Sequence, residues 1–332
     1  MEGTSFKALV ITETEDKKYL RQICDKTVDD LPPGDVIIQV HYSSLNYKDA
    51  LSASGNKGVT RNYPHTPGID ASGTVAESSN SAFKPGDEVI VTSYDLGMNT
   101  AGGFGQYIRV PAQWVVPLPK GLTLREAMCY GTAGFTAALS VYQLSTHGIK
   151  PEDGEVLVSG ATGGVGSIAV AILSKIGYPV VAVNGQKDAS PYLQKIGAQR
   201  VIEIEEATDK SGRPLLKSMY AGSIDNVGGD ILATTIKSVN NNGVVTSCGH
   251  IASPDLPINV FPFILRGVTL VGIDSQNCPM THRCKTWELL ADDWKIPQME
   301  EVVTEIGLSD LDQQISNMLQ RKHKGRALVR MT

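Results

Sequence analysis

The chain has 332 residues, 41% of them apolar and 20% charged, with a formal net charge of −5. That length exceeds what a single hydrophobic core usually spans, so two domains are expected, and an acidic balance without basic clusters interleaved with aromatics excludes a nucleic-acid surface. The opening Met1-Glu-Gly-Thr-Ser-Phe-Lys7 has no basic-then-apolar leader, no apolar run reaches membrane-spanning length, and five scattered cysteines (Cys24, Cys129, Cys248, Cys278, Cys284) suit reduced thiols, so a cytoplasmic protein is expected.

The first hundred-odd residues read as short strands: 7–12, 35–43, 73–76, 88–92 and 106–110. Pro32-Pro33-Gly34-Asp35 and Lys84-Pro85-Gly86-Asp87 punctuate them as turns, the pattern of an antiparallel barrel or sandwich. Thr123-Leu-Arg-Glu126 is a capping-box pattern that opens a long small-residue helix over 127–144. From Glu155 strands and helices alternate: strand 156–158, helix 166–176, strand 180–183, helix 189–196, then strands 200–204, 224–227 and 243–248. Such alternation predicts an open parallel sheet covered on both faces. After Gly267 the pattern is mixed, with a strand over 269–273, an amphipathic helix near 281–293 and a closing strand over 326–329. The last segment is therefore expected to return to the first domain.

The segment from Glu155 to Val170 carries the most information. An apolar strand breaks into Ala161-Thr162-Gly163-Gly164-Val165-Gly166 and then into a helix. The spacing is that of a dinucleotide fingerprint with alanine at the first small position. Gly163 lets backbone approach a pyrophosphate, Gly166 lets helix pack on strand, and the helix N-terminus offers free N–H groups and partial positive charge. The second strand ends Val183-Asn184-Gly185-Gln186-Lys187. Asn184 stands where NAD-binding relatives carry a ribose-binding carboxylate, so no fixed negative charge is expected to repel a 2′-phosphate. Lys187 supplies a cation, Asn184 and Gln186 supply donors, and NADP(H) is the expected cofactor.

Four further segments are Ser43-Ser-Leu-Asn46-Tyr47-Lys-Asp49-Ala50, Pro67-Gly-Ile-Asp70-Ala-Ser-Gly73, Gly131-Thr-Ala-Gly134-Phe-Thr-Ala137 and Phe261-Pro-Phe-Ile264-Leu-Arg-Gly267. With them the chain resembles the zinc-independent quinone oxidoreductase branch of the medium-chain dehydrogenase/reductase superfamily, closest to its acryloyl-CoA reductase subgroup. The resemblance runs from Phe6 to about Arg330. It implies an α/β fold in which a doubly wound Rossmann sheet (125–266) is inserted in a GroES-like β-rich catalytic domain (1–124 plus 267–332). Zinc-dependent relatives carry cysteine where Asn46 stands and Gly-His-Glu where Gly68-Ile69-Asp70 stands, and the four-cysteine lobe is missing. His65 and Asp70 lack a thiolate partner, so no metal is expected.

The resemblance also implies cofactor contacts. Thr162, Gly163, Gly164 and Val165 are expected at the pyrophosphate, Asn184, Gly185, Gln186 and Lys187 at the adenosine ribose, and His250, Ile264 and Ser275 along the nicotinamide half. Arg321 and Tyr47 complete the set. The family often has arginine at Gln186, arginine or tyrosine at Ile204, and leucine at His250, which softens the expected discrimination of the phosphate. The chemistry expected is hydride transfer to an electron-poor carbon while charge builds on a conjugated oxygen. Tyr47, supported by Asn46 and Asp49, is the candidate donor to that oxygen, or else a positioner of the cofactor. The substrate is a small molecule, an enoyl-CoA (acryloyl-CoA) or a quinone, and a cofactor-binding protein with little turnover stands as a further alternative. Arg283 with Lys285, or the run from Arg321 to Lys324 with Arg326, are candidate partners for coenzyme A phosphates. A homodimer is implied by the resemblance, helped by the apolar run 260–265.

Overall fold

A computed structural model describes residues 1, 3–186, 188–297 and 299–332. The chain divides into two compact units, one formed by Met1–Thr132, Gln276–Ala291 and Val303–Thr332, the other by Ala133–Ser275 and Asp292–Val302.

The first unit is built on β1 (Ser5–Glu13), β2 (Tyr19–Thr27), β3 (Val36–Leu45), β4 (Asp70–Ser78), β5 (Glu88–Thr92), β6 (Tyr107–Val110) and β7 (Val115–Pro117), with α1 (Tyr47–Ser52) after β3. Two late strands, β14 (Val303–Gly307) and β15 (Arg326–Arg330), flank α8 (Leu311–Leu319), and α7 (Met280–Ala291) precedes them. Strands β14-β15-β3-β4-β5-β7 form one sheet, with β6 also on β3, and β1-β2 form a hairpin beside it. Alternation turns Val36, Ile38 and Val40 of β3 into a core shared with Ile108, Val89 and Val329. The chain's last strand lies antiparallel to β3, with Ala327 opposite Leu45, so residues from opposite ends of the sequence share one strand end.

The second unit holds six parallel strands: β8 (Val156–Val158), β9 (Val180–Asn184), β10 (Arg200–Glu203), β11 (Tyr220–Asp225), β12 (Val239–Ser247) and β13 (Thr269–Gly272). Their order is β10-β9-β8-β11-β12-β13. Strand order reverses between β8 and β11, which makes this a doubly wound Rossmann sheet with its ligand crevice outside the carboxyl ends of those strands. Helices α3 (Gly164–Lys175), α4 (Ser190–Lys195), α5 (Gly229–Ser238) and α6 (Phe261–Arg266) make the crossovers. Strands β8, β9 and β11 are buried on both faces, which explains their continuous rather than alternating apolar pattern.

Helix α2 (Leu124–Thr146) runs from one unit into the other and is interrupted at Gly131, whose φ of 52° and ψ of −158° are not helical. The sequence predicts this helix without the interruption. A Cβ at Gly131 would lie 2.3 Å from Ser44 Oγ, 2.4 Å from Asp70 Oδ2 and 2.6 Å from Arg326 Nη2, so side chains from three strands claim the space. Among the described residues no helix is long and apolar enough to cross a membrane.

Candidate active site

In the second unit β8 ends in a turn that only small residues can close. Gly160 takes φ +58°, and a Cβ on Gly166 would lie 2.3 Å from Gly160 O and 2.7 Å from Ala161 Cα. Gly163 differs. Its φ of −82° suits any residue, and a Cβ there would meet only Gly160 O, at 3.4 Å. Nothing inside the protein requires glycine at 163, so the space it leaves is available to a ligand. Gly163 is also the N-cap of α3 and has no side chain to satisfy the first-turn N–H groups, which have no acceptor within the helix. Thr162 is buried, while Gly163, Gly164 and Val165 are half-buried. An unhindered backbone turn with open donors at a helix N-terminus fits a dinucleotide diphosphate.

At the end of β9, Asn184 is 3% exposed and its amide is engaged on both sides. Its Oδ1 accepts the Gln186 N–H at 3.0 Å, and its Nδ2 donates to Glu203 at 3.2 Å to Oε1 and 3.5 Å to Oε2. This corrects the expectation that no negative charge stands here. The carboxylate comes from the neighbouring strand β10, where Glu203 is in register with Asn184. Gly185 lies beside Ile204, 3.5 Å from its Cδ1 to a Cβ built on Gly185. Lys187 lies outside the described residues.

The carboxyl ends of β8, β11 and β12 are bonded together. Ser159 Oγ donates to Asp225 Oδ1 (2.7 Å) and accepts the Asn226 N–H (2.9 Å), while Asp225 Oδ2 accepts the Gly228 N–H (2.8 Å). Burial raises the Asp225 carboxyl, and burial together with Asp225 pushes the Cys248 thiol up to about 12, so Cys248 stays an inert thiol. His250 follows, exposed, in a loop that packs on Gly228, whose Cβ would stand 2.4 Å from Ser253 O. Ser275 is half-buried beyond β13. Ile264 is 68% exposed on α6, next to the exposed Val260, Phe261 and Leu265. Within this unit the turn 160–165, Asn184–Gln186 and His250 all lie at the carboxyl ends of parallel strands; Ile264 does not.

In the first unit Tyr47 opens α1 and is 50% exposed. What holds it there is a fully buried polar cluster. Asp49 Oδ2 reaches back to the Asn46 N–H (2.8 Å), the return half of a capping box, and its Oδ1 accepts from Ile69 N–H (2.8 Å) and Gly68 N–H (3.2 Å). Asp70 Oδ2 accepts from Asn46 Nδ2 (2.8 Å) and Ser44 Oγ (2.5 Å), and its Oδ1 from Thr132 Oγ1 (2.5 Å). The Arg326 guanidinium closes the cluster. It donates to Asn46 Oδ1 (3.1 Å), Leu45 O (3.2 Å), Cys129 O (3.3 Å) and Ser44 Oγ (2.7 Å), with its Nη2 3.7 Å from Asp70. Burial and the neighbouring Asp70 push Asp49 up to about 7, and burial lowers Arg326. Every polar atom of the Asn46 side chain is thereby fixed, and Tyr47 starts its helix from a rigid frame.

Two cations proposed for coenzyme A phosphates are not available. Arg326 is 2% exposed inside this cluster, and Arg283 is fully buried. Arg283 donates to Thr92 O (3.0 Å), Thr92 Oγ1 (2.9 Å) and Gln276 O (3.1 Å) and lies 4.3 Å from the Tyr94 ring centre, which itself stacks on Trp114. Both buried arginines, Arg283 on α7 and Arg326 at the start of β15, serve as internal donors to main-chain carbonyls that are buried with them. Arg321, Lys322 and Lys324 are exposed at the end of α8. Ser44, Asp70, Thr132, Gly131, Arg326 and Glu203 act in these clusters, and sequence reasoning gave none of them such a part. The one available signal was strand register, which brings 45 beside 327 and 184 beside 203.

Among the described residues no three His, Cys, Asp or Glu side chains gather as a metal site. Two family models match, the alcohol dehydrogenase GroES-like domain over residues 32–120 and the zinc-binding dehydrogenase over 164–292. The putative quinone oxidoreductase YhfP of Bacillus subtilis is 46% identical over 330 residues, covering 99% of this chain and all of its own. Its crystal structure with NAD bound matches with a TM-score of 0.96 at 44% identity, covering 99% of this chain and 100% of that one. The acrylyl-CoA reductase AcuI of Ruegeria pomeroyi is 42% identical, covering 98% of both chains. The crystal structure of the yhdH oxidoreductase from Salmonella enterica in complex with NADP matches with a TM-score of 0.95 at 42% identity, covering 98% of this chain and 100% of that one. On this sequence and this fold, the chain belongs to the medium-chain dehydrogenase/reductase superfamily, in the branch that includes the quinone oxidoreductase YhfP and the acrylyl-CoA reductase AcuI.

Proposed function

We propose that this protein uses NADPH to reduce the activated double bond of a small acyl-CoA thioester, acryloyl-CoA to propanoyl-CoA. It is an NADP-dependent oxidoreductase. The observation that carries the cofactor is the turn at Gly163, where the backbone is open and no side chain caps the first-turn N–H groups of α3. The thioester is supported by 42% identity to AcuI along nearly the whole of both chains.

A reduced nicotinamide, when bound, supplies the hydride. Thr162 to Val165 face the diphosphate, with the first-turn N–H groups of α3 as donors, and Asn184 to Gln186, together with Lys187, serve the adenosine ribose. His250, Ile264, Ser275 and Arg321 are the further contacts we assign. Tyr47 hydrogen-bonds from its hydroxyl to the thioester oxygen as negative charge builds there, then gives that proton to the carbon next to the carbonyl, and the phenolate left behind is reprotonated from solvent. Asn46, clamped between Arg326 and Asp70, fixes the backbone from which Tyr47 projects. On this reading Tyr47→Phe lowers kcat with acryloyl-CoA about 100-fold and leaves the Kd for NADPH within about twofold. An unchanged kcat with weakened NADPH binding would instead make Tyr47 a cofactor positioner. The second reading, a quinone reductase, is favoured by 46% identity to YhfP and uses the same groups. Steady-state NADPH oxidation with acryloyl-CoA against a small quinone separates the two; a higher kcat/KM for the quinone rejects the thioester.

We also propose a homodimer. Val260, Phe261, Ile264 and Leu265 are 42–68% exposed on and before α6, close in sequence to β13, the edge strand of the parallel sheet. A cluster of exposed apolar side chains of this size marks an association surface. Sedimentation should give twice the 35.6 kDa chain mass, and Val260→Asp with Leu265→Asp should give the single mass. A wild-type protein at the single mass refutes the dimer.

A further inference from the structure

We propose that Glu203, presented by Asn184, sets how strongly this protein distinguishes NADPH from NADH. The inference rests on the reading that a pyridine nucleotide seats in the turn after β8.

Three observations converge on the carboxyl ends of β9 and β10. Glu203 and Asn184 are directly in register on adjacent parallel strands. The Asn184 amide is locked by the Gln186 N–H on its oxygen, so its nitrogen is turned toward Glu203 and spans both carboxylate oxygens at 3.2 and 3.5 Å. Asn184 is buried, whereas Glu203 is exposed, so the amide is a mount and the carboxylate is the group that meets solvent. In open α/β sheets of this order, the end of the second strand is where the adenosine ribose is read, and a carboxylate there accepts from the 2′-hydroxyl. Here the side chain at the end of the second strand is neutral, and the charge is supplied one strand away.

Among the described residues the cation on the same strand does not cancel it. Arg200, also on β10, is committed to Glu155 at 2.7 Å and to Glu206 at 3.4 Å. Glu205 and Glu206 follow in sequence, so the segment after β10 is acidic. A 2′-phosphate entering this corner meets like charge, while a 2′-hydroxyl meets an acceptor. The preference for NADPH is therefore shallower than the absence of a carboxylate from β9 implies.

The test is equilibrium binding, not turnover. Kd values are measured by calorimetry for NADPH, NADH and two fragments that differ only in the phosphate, 2′,5′-ADP and 5′-AMP, on wild type and Glu203→Gln. Glutamine keeps the size and an acceptor for Asn184 and removes the charge. We expect NADPH and 2′,5′-ADP to bind about tenfold more tightly to the variant, with NADH and 5′-AMP unchanged or about twofold weaker. The gap between wild type and variant should narrow as salt is raised from about 50 to about 500 mM, because the effect is a screened charge repulsion. A ratio of NADPH to NADH affinity that moves less than about twofold, or a gap that salt does not narrow, overturns the assignment while leaving the cofactor reading standing. A wild-type protein that binds neither nucleotide removes both.

Discussion

Replacing Gly163 with valine is expected to weaken NADPH binding about 1,000-fold, or roughly 4 kcal/mol, while the protein stays folded. The two halves of that statement come from the same geometry. The backbone at 163 is extended, and the first side-chain atom meets the protein only at 3.4 Å, so the residue fits without strain. Valine is a poorer N-cap than glycine, which costs about 1 kcal/mol or less. The branched methyls then fill the space before the open N–H groups of α3, where a diphosphate must approach. Gly166→Val is the contrast. Its Cβ would enter within 2.3 Å of Gly160 O, so the strand–turn–helix unit itself must distort and the denaturation midpoint should fall. Calorimetric titration with NADPH, paired with thermal melts, reads both variants. Wild-type affinity in a folded Gly163→Val protein would remove the diphosphate from this turn.

The largest loss of stability should follow from Arg326→Met. The substitution keeps an apolar stem of similar length but withdraws the buried cation and four hydrogen bonds, to Cys129 O, Leu45 O, Asn46 Oδ1 and Ser44 Oγ. Asp70, fully buried, is left with its charge uncompensated. Breaking a buried ion pair from one side costs about 3–5 kcal/mol, most of it the penalty on the group left behind. A second change, Asp70→Asn, removes that residual charge and should restore part of the loss, so the pair is non-additive. Urea denaturation of the single and double variants measures the coupling. A single variant destabilised by less than about 1 kcal/mol, or a double variant that equals the sum of the singles, would show that the guanidinium does not hold the cluster.

What the sequence made legible was local. The strand–turn–helix after Glu155 could be read because strand, small residues and helix follow one another within twenty positions, and the parallel sheet because its strands alternate with helices at short range. Tyr47 stood out through its neighbours Asn46 and Asp49, which lie within one capping motif. The rest depended on register. Glu203 is nineteen positions from Asn184, with a helix between them, and nothing at position 203 marks it except its place on the adjacent strand. Arg326 reads as an ordinary charge at the start of a strand until β15 is laid against β3. Helix α1 has six residues, too few for a helical period to show, and no residue of β2 is buried, so it lacks the alternation that reveals a half-buried strand. Gly131 breaks a segment whose composition favours helix throughout, for reasons that lie in Ser44, Asp70 and Arg326.

The reach of the Arg326 side chain has a bearing on how the molecule is made. Its partner Asn46 emerges from the ribosome 280 residues earlier. At typical elongation rates of about 5–20 residues per second, the nascent amino-terminal strands wait roughly a quarter of a minute to a minute with two carboxylates facing an unfilled space. The turn that presents Tyr47 is therefore among the last pieces of this protein to become rigid, although it is among the first to be synthesised.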